Sequence, residues 1–277
     1  MEQDLDPRVE KELKQAALLI AQAQSVVAFT GAGISVESGI PDFRSPGGLW
    51  SKYDPRTYCD YRHFLEQPQL FWEMAKEMHE EMRNAVPNAA HMALARMERE
   101  GFLSSIITQN VDNLHQQAGS QKVFELHGNA IMSTCTGCSI KAPTVNCVAQ
   151  AEVVKVPKCS LCDGVMKMDV ILFGETMPSS TLQDAMQAAA LADVLLVIGT
   201  SLKVSPANMM VNLCRQQNGR IVIIDPDSTL LRKADVMLCG PAGTILPRLS
   251  EMASHLRYVS TEAAKKVATS ESGSSLL

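Results

Sequence analysis

The sequence predicts an α/β protein built on a doubly wound parallel sheet with two insertions. Three observations predict it. Short apolar runs recur along the chain, amphipathic helical patterns lie between several of them, and the runs stop at small, polar or acidic residues. Alternation of this kind belongs to a parallel sheet covered by helices on both faces. With 277 residues, 46% of them hydrophobic and 20% charged, the chain can bury a substantial core.

Each element follows in order. Val9–Ala23 places Val9, Leu13, Ala16, Ala17 and Ile20 on one helical face. Ser25–Phe29 is a buried strand that ends in the turn Thr30-Gly31-Ala32-Gly33. Further strands are expected at Ser105–Thr108, Val123–Leu126, Asp169–Phe173, Asp193–Ile198 and Ile221–Ile224. Helices are expected at Ala89–Glu100, Thr181–Leu191 and Pro206–Gln217. Pro46–Arg83 reads as a loop followed by a helical insertion, and Ser133–Met168 as a cysteine-bearing insertion with little core. The chain after Arg257 ends in TSESGSSLL, a polar stretch expected to be disordered.

Composition excludes several classes. No apolar run approaches the roughly 18 residues of a membrane helix. The N-terminus, MEQDLDPRVEKEL, is acidic and polar and does not read as a targeting segment, which predicts a cytoplasmic protein. A formal charge of −5 argues against nucleic-acid binding through bulk charge. Eight cysteines without a secretory signal do not suggest a disulfide framework.

Four segments carry polar chemistry after a strand, where an open α/β sheet binds ligands. Gly31-Ala32-Gly33-Ile34-Ser35 lets backbone approach a pyrophosphate, and Gly39-Ile40-Pro41-Asp42-Phe43-Arg44 follows it closely. An Asp, a ring and an Arg so near a phosphate turn suit a charged, aromatic ligand. Gln109, Asn110 and Asp112 present amides and a carboxylate for a ribose or a carboxamide. His127, in Glu125-Leu126-His127-Gly128, has a side chain suited to general base work near neutrality, and Gly128 leaves room beside it. His91 and His115 are assigned to packing or helix ends. Gly199, Thr200 and Ser201 end one strand, and Asp225 and Asp227 end the next, where carboxylates accept bonds from ribose hydroxyls. Taken singly, each is equally a capped turn.

Cys135-x-x-Cys138 and Cys159-x-x-Cys162 have the pairing of a tetrahedral zinc site. Four thiolates fill the coordination sphere, so the site is structural. Cys147 is unpaired. Lys141, Lys155, Lys158 and Lys167 in the same segment leave weak contact with an acidic partner open.

As an ordered set these segments resemble the sirtuins, NAD-dependent protein deacylases. The resemblance rests on GAGISVESGIPDFR (Gly31–Arg44), TQNVDNLH (Thr108–His115), ELHG (Glu125–Gly128), the paired cysteines, DVILFGE (Asp169–Glu175) and GTSLKVSPA (Gly199–Ala207). It implies a catalytic domain over 1–257: a Rossmann-like core at about 8–45, 86–132 and 166–257, a helical insertion at 46–85 and a small zinc-binding module at 133–167. The tail is 258–277. It implies NAD as co-substrate and one structural zinc.

The resemblance also assigns roles. Gly31, Ala32 and Gly33 receive the pyrophosphate, with Ser35 and Asp42 in the cofactor site. Ile40, Asn110 and Asp112 line the nicotinamide pocket, Phe43 shields the reactive ribose carbon, and Arg44 lies near the phosphates. Gln109 holds the ribose. Gly199, Thr200, Ser201, Asp225, Asp227 and Ala242 hold the adenosine half. His127, with Asn110, is catalytic. Acyl-lysine enters past Ile171 to a tunnel floored by Phe173, and its backbone adds as a strand between Gly174-Glu175 and Leu202–Val204. Partners are acylated lysine-containing proteins or peptides, with neither membrane nor nucleic acid. The products are nicotinamide, O-acyl-ADP-ribose and free lysine.

Departures bear on this. Asn113 stands where many members have Gly, Met168 where Pro is common, and Asp225 and Asp227 where Asn and Glu are usual. Members that prefer succinyl or malonyl carry Tyr-x-x-Arg where Ala75 and Met78 stand, so a neutral acyl group, acetyl first, is expected.

Overall fold

The strands of the main sheet are buried from end to end, which is why they read as continuous apolar runs. In the computed structural model, which describes residues 7–273 and side chains through residue 260, nine strands form two sheets. The main sheet holds β1 (Val26–Thr30), β2 (Leu103–Thr108), β3 (Val123–Glu125), β7 (Val194–Ile198), β8 (Arg220–Ile224) and β9 (Val236–Leu238). Its order is β3-β2-β1-β7-β8-β9, and every pairing is parallel. The doubly wound expectation holds. β9 is a strand the sequence reading missed, because Val236–Leu238 is three residues long and offers no periodicity.

Helices cover both faces. Val26 and Ala28 face a core shared with the helices Pro7–Gln22, Ala89–Arg99 and Ala242–Gly273. Val27 and Phe29 face a second core with Ser179–Ala190 and Met209–Gln216. Winding reverses between β1 and β7, so a crevice opens beyond their carboxyl ends.

The second sheet corrects one expectation. Asp169–Phe173 is not a strand of the main sheet. β4 (Gly128–Cys135), β5 (Lys141–Pro143) and β6 (Met166–Val170) form a separate antiparallel sheet in the order β5-β4-β6. β4 and β6 therefore run across the expected module limits of 133 and 167. The cysteine segment also has more core than expected. The helix Thr144–Val154 buries Cys147 and Ala151 against the helical insertion, in a cluster with Phe71, Trp72, Met74 and Ala75. Trp72 Nε1 donates to the Met166 carbonyl at 2.9 Å, so the two insertions pack as one unit beside the main sheet.

The last helix continues through Gly273, past the expected break after Arg257. Residues 258–273 include alanines, lysines and glutamates that favour helix. Residues 274–277 of the expected tail lie outside the described residues. No helix among the described residues is long and apolar enough to cross a membrane.

Candidate active site

Four strands of the main sheet deliver their following loops to one cavity of about 1080 Å3. β1 supplies Gly31, Ala32 and Gly33, β2 supplies Gln109 and Asn110, β7 supplies Gly199, Thr200 and Ser201, and β8 supplies Asp225 and Asp227. Asp42, Phe43, Arg44, His127, Ile171, Phe173, Gly174, Glu175, Val204 and Ala242 complete the expected set on its wall. A smaller cavity of about 30 Å3 adjoins it, lined by Ser35, Ile40 and Asp112. Ala32, Phe43, Asn110, Val111 and Met78 line both.

Leu202 is the exception. Its side chain is 7% exposed and packs in the main-sheet core with Ala207 and Met210. Lys203 and Val204 line the cavity beside it. Leu202 has a left-handed backbone, φ 56, which turns its side chain to the core while the next two residues line the cavity.

The glycines act differently from the simplest expectation. Gly31 N–H donates to the Ile198 carbonyl at 3.0 Å and Gly33 N–H to the Gly199 carbonyl at 2.9 Å. A Cβ on Gly33 would sit 2.7 Å from Gly199 Cα. These glycines let the β1 and β7 loops touch, and their own N–H groups are taken. Gly128 is at φ +76, and a Cβ there would lie 2.0 Å from the Asp169 carbonyl oxygen. The room beside Gly128 is thus filled by β6.

Hydrogen bonds order the polar wall. Gln109 Nε2 donates to Thr200 Oγ1 at 2.8 Å, joining the β2 and β7 loops. Asn110 Nδ2 donates to Ser35 Oγ at 3.1 Å, and Ser35 Oγ donates to Asp112 Oδ2 at 2.6 Å. Asp112 Oδ1 accepts from Leu114 N at 3.0 Å. Asn113 between them is left-handed, φ 63, as a position open to Gly or Asn requires. Asp42 is a staple of its loop: Oδ1 accepts from Arg44 N and Ser45 N at 2.8 and 2.7 Å. Burial alone would raise its pKa, but these bonds and the Ser45 hydroxyl leave it lowered.

His127 hydrogen-bonds through Nδ1 to the Gln109 carbonyl at 2.9 Å. A carbonyl accepts only, so Nδ1 carries the hydrogen and Nε2 keeps its lone pair. Burial pulls the imidazole below its usual pKa, and the Gln109 bond opposes this without cancelling it. His127 is therefore neutral at physiological pH, with a basic nitrogen beside the cavity. Asp225 is shifted the other way: burial raises its pKa, and the charges of Asp227 and Asp42 add to it, against a bond from Asp227 N.

Part of the cavity lining is apolar. Cys59, Phe71, Met74, Ala75, Met78 and Met168 form it. Trp50 and Val111 are wall residues the sequence reading missed. Trp50 packs on Phe43 at 4.9 Å between centroids and reaches Phe173 at 6.5 Å. One of two Trp residues in the helical insertion and one apolar residue inside the polar run Gln109–Asn113 were their signals.

The four predicted zinc ligands cluster away from this cavity. Their sulfurs lie within 4.8 Å of one another, with Cys135–Cys162 at 3.5 Å and Cys138–Cys159 at 3.6 Å. Tetrahedral zinc with bonds near 2.3 Å spaces sulfurs by about 3.8 Å. The donor set fits. Backbone N–H groups of Cys138 and Gly137 point at the Cys135 sulfur and favour its thiolate, the form a metal takes. Of the module's four singled-out lysines, Lys141 pairs with Asp169 at 2.8 Å and Lys167 is buried. That leaves a poor surface for an acidic partner.

A family model for the Sir2 family matches residues 31–206. The chain belongs to the Sir2 family. NAD-dependent protein deacetylase 1 of Pyrobaculum aerophilum is 43% identical over 86% of this chain and 93% of that protein. A structure from work on the mechanism and regulation of Sir2 enzymes is 39% identical, with a TM-score of 0.83 over 90% of this chain and 100% of that one. A Sir2 complex with a p53 peptide and NAD+ is 33% identical, with a TM-score of 0.80 over 87% of this chain and 98% of that one. This Sir2 enzyme is an NAD-dependent deacylase, and the expected cofactor and fold stand.

Proposed function

We propose that this NAD-dependent protein deacylase removes neutral acyl groups, acetyl first among them, from lysine side chains. The products are nicotinamide, O-acyl-ADP-ribose and the free lysine. The observation that supports the reading is that His127, its Nδ1 held by the Gln109 carbonyl and its Nε2 lone pair left free to take a proton, lines the same cavity as the polar residues Gln109, Asn110 and Thr200 and the apolar residues Met74, Ala75 and Met78.

Bound NAD supplies an activated ribose carbon with nicotinamide as its leaving group. The chain's residues do the rest. Ala32, Thr200 and Ser201 bind along the phosphates and the adenosine half where Gly33 leaves the backbone open to close approach, with Asp225 and Asp227 toward its ribose. Ser35, Asn110 and Asp112 orient the carboxamide through the linked bonds that already fix them. Phe43 and Trp50 exclude water from the reacting carbon. His127 Nε2 takes a proton from a ribose hydroxyl, and the imidazolium is steadied by the Gln109 carbonyl. Phe173, Gly174 and Val204 receive the acyl-lysine and its peptide. The four-thiolate site suits a reducing compartment, which supports a cytoplasmic location.

The test is a parallel assay of acetyl- and succinyl-lysine peptides with NAD, reading free nicotinamide and deacylated peptide. Nicotinamide release that depends on the acetyl peptide is the expected result. Faster desuccinylation would overturn the acyl preference, and formation of reduced cofactor would overturn the reaction.

A further inference from the structure

Lys167 lies on β6, and only 8% of its surface is exposed. An ammonium leaves water at high cost unless its donors are met. This one has three donors and three oxygens: the Val170 carbonyl at 2.7 Å, Glu175 Oε2 at 3.0 Å and the Met168 carbonyl at 3.3 Å. Glu175 Oε2 also accepts from Leu172 N at 3.0 Å.

All these partners fall in one short segment, 168–175. It leaves the small sheet at Val170 and then lines the cavity through Ile171, Leu172, Phe173 and Gly174. Its other edge is stitched to the helical insertion: Phe173 N donates to the Cys59 carbonyl at 2.8 Å and Tyr61 N to the Phe173 carbonyl at 2.9 Å. Ile171 N donates to the His127 carbonyl at 2.9 Å. Lys167 itself does not line the cavity.

We propose that Lys167 is a positioning residue for acyl-lysine binding, its ion pair with Glu175 locking segment 171–175 into the wall of the tunnel. The inference rests on the deacylase reading above, in which that segment receives the substrate. The physical basis is the stranded charge. Any shift of the segment separates Glu175 from an ammonium that has little water to turn to, so the buried pair holds the wall where a greasy contact would let it slide. The cofactor loops that follow β1, β2, β7 and β8 hang from the main sheet and make none of these bonds, so the effect falls on the acyl peptide and spares NAD binding.

The test is steady-state kinetics of the zinc-loaded full chain and its Lys167→Met, Lys167→Arg and Glu175→Gln variants, with an acetyl-lysine peptide and NAD each varied. Lys167→Met raises the peptide KM about tenfold or more while the NAD KM stays within about twofold, and Lys167→Arg recovers most of the loss. Amide exchange at Leu172 and Phe173 quickens in Lys167→Met while β1 amides are unmoved. If Lys167→Met does not fold, Glu175→Gln, which keeps an oxygen for Leu172 N but loses the charge, shows the same selective rise, smaller in size. A peptide KM that stays put in the folded variants overturns the inference, as does an equal rise in both KM values. A wild type that does not turn over the acyl peptide overturns the deacylase reading instead, and amide exchange still reads the clamp.

Discussion

The hydrogen bond from His127 Nδ1 to the Gln109 carbonyl, 2.9 Å long, ties the candidate base to the loop that follows β2. It fixes the ring's tautomer and its direction at once. Replacing His127 with Ala removes the base and leaves the strands on either side unchanged. Deacylation falls by about 10²–10⁴-fold, the usual worth of a positioned general base, while zinc content and melting temperature hold. The pH profile follows from the sign of the shift. Burial lowers the imidazole's pKa, so the neutral, active form persists to below the ordinary value near 6.5, and activity falls only on the acid side of that. An acid limb above pH 7 would remove His127 from the role.

Ala75, 1% exposed, and Met78 stand on the apolar wall beside Met74 and Phe71. A succinyl carboxylate carried there loses water and meets no cation on that wall, which costs several kcal/mol unless it is paired. Acetyl-lysine peptides are therefore turned over at least about tenfold faster in kcat/KM than succinyl ones. Met78→Arg, at a half-buried position, narrows the gap. Equal rates for the two acyl groups in the wild type would sink the assignment of this wall.

The cysteine cluster and the cavity are joined through β6, because Cys135 on β4 pairs with Met166 while Met168 and Val170 of the same strand line the cavity. The four-cysteine cluster fits one structural zinc per chain. Cys138→Ser gives up the metal and with it the closure of the module, and the melting temperature drops by about 10 °C, as loss of a structural metal costs several kcal/mol. Deacylation falls alongside, because Met168 and Val170 lose their support. Metal analysis and a thermal melt of the same sample check both halves. A metal-free variant that melts with the wild type would remove the structural role.

The reach of the sequence can be judged residue by residue. β1, β2, β7 and β8 were legible because both of their faces are covered, which makes them unbroken apolar runs. The zinc ligands were legible because two close cysteine pairs are rare without a metal. Asp169–Phe173 misled because an apolar run specifies a strand but not its sheet, and here Met166–Val170 pairs antiparallel with β4. Lys167 looked like a solvated charge, since nothing in its neighbours foretells Glu175 eight residues on as its partner. Trp50 and Val111 were passed over because an apolar residue signals core unless tertiary structure turns it to a cavity.

His91 and His115 pack against each other with centroids 5.0 Å apart and ring planes tilted by 59°, both essentially without exposure. Thr30 Oγ1 donates to Thr108 Oγ1 at 2.8 Å and so accepts from His115 Nε2 at 2.9 Å. His91 Nδ1 accepts from Asn88 N at 3.4 Å. Both rings are neutral. Burial, with His91 adding to it, lowers His115 to about 3; burial lowers His91 to about 4 against the charge of Asp112. The unfolded chain binds protons at these rings near pH 6.5 and the folded chain does not until far lower, so stability rises with pH across that window and is lost as pH falls from 6.5 toward 4. Each ring contributes a slope of up to about 1.4 kcal/mol per pH unit. His115→Gln removes one of them and flattens the fall of melting temperature between pH 6.5 and 4 by about 3–5 °C per unit. Melts of the two proteins at matched ionic strength check this, and parallel slopes would mean that His115 does not titrate on unfolding.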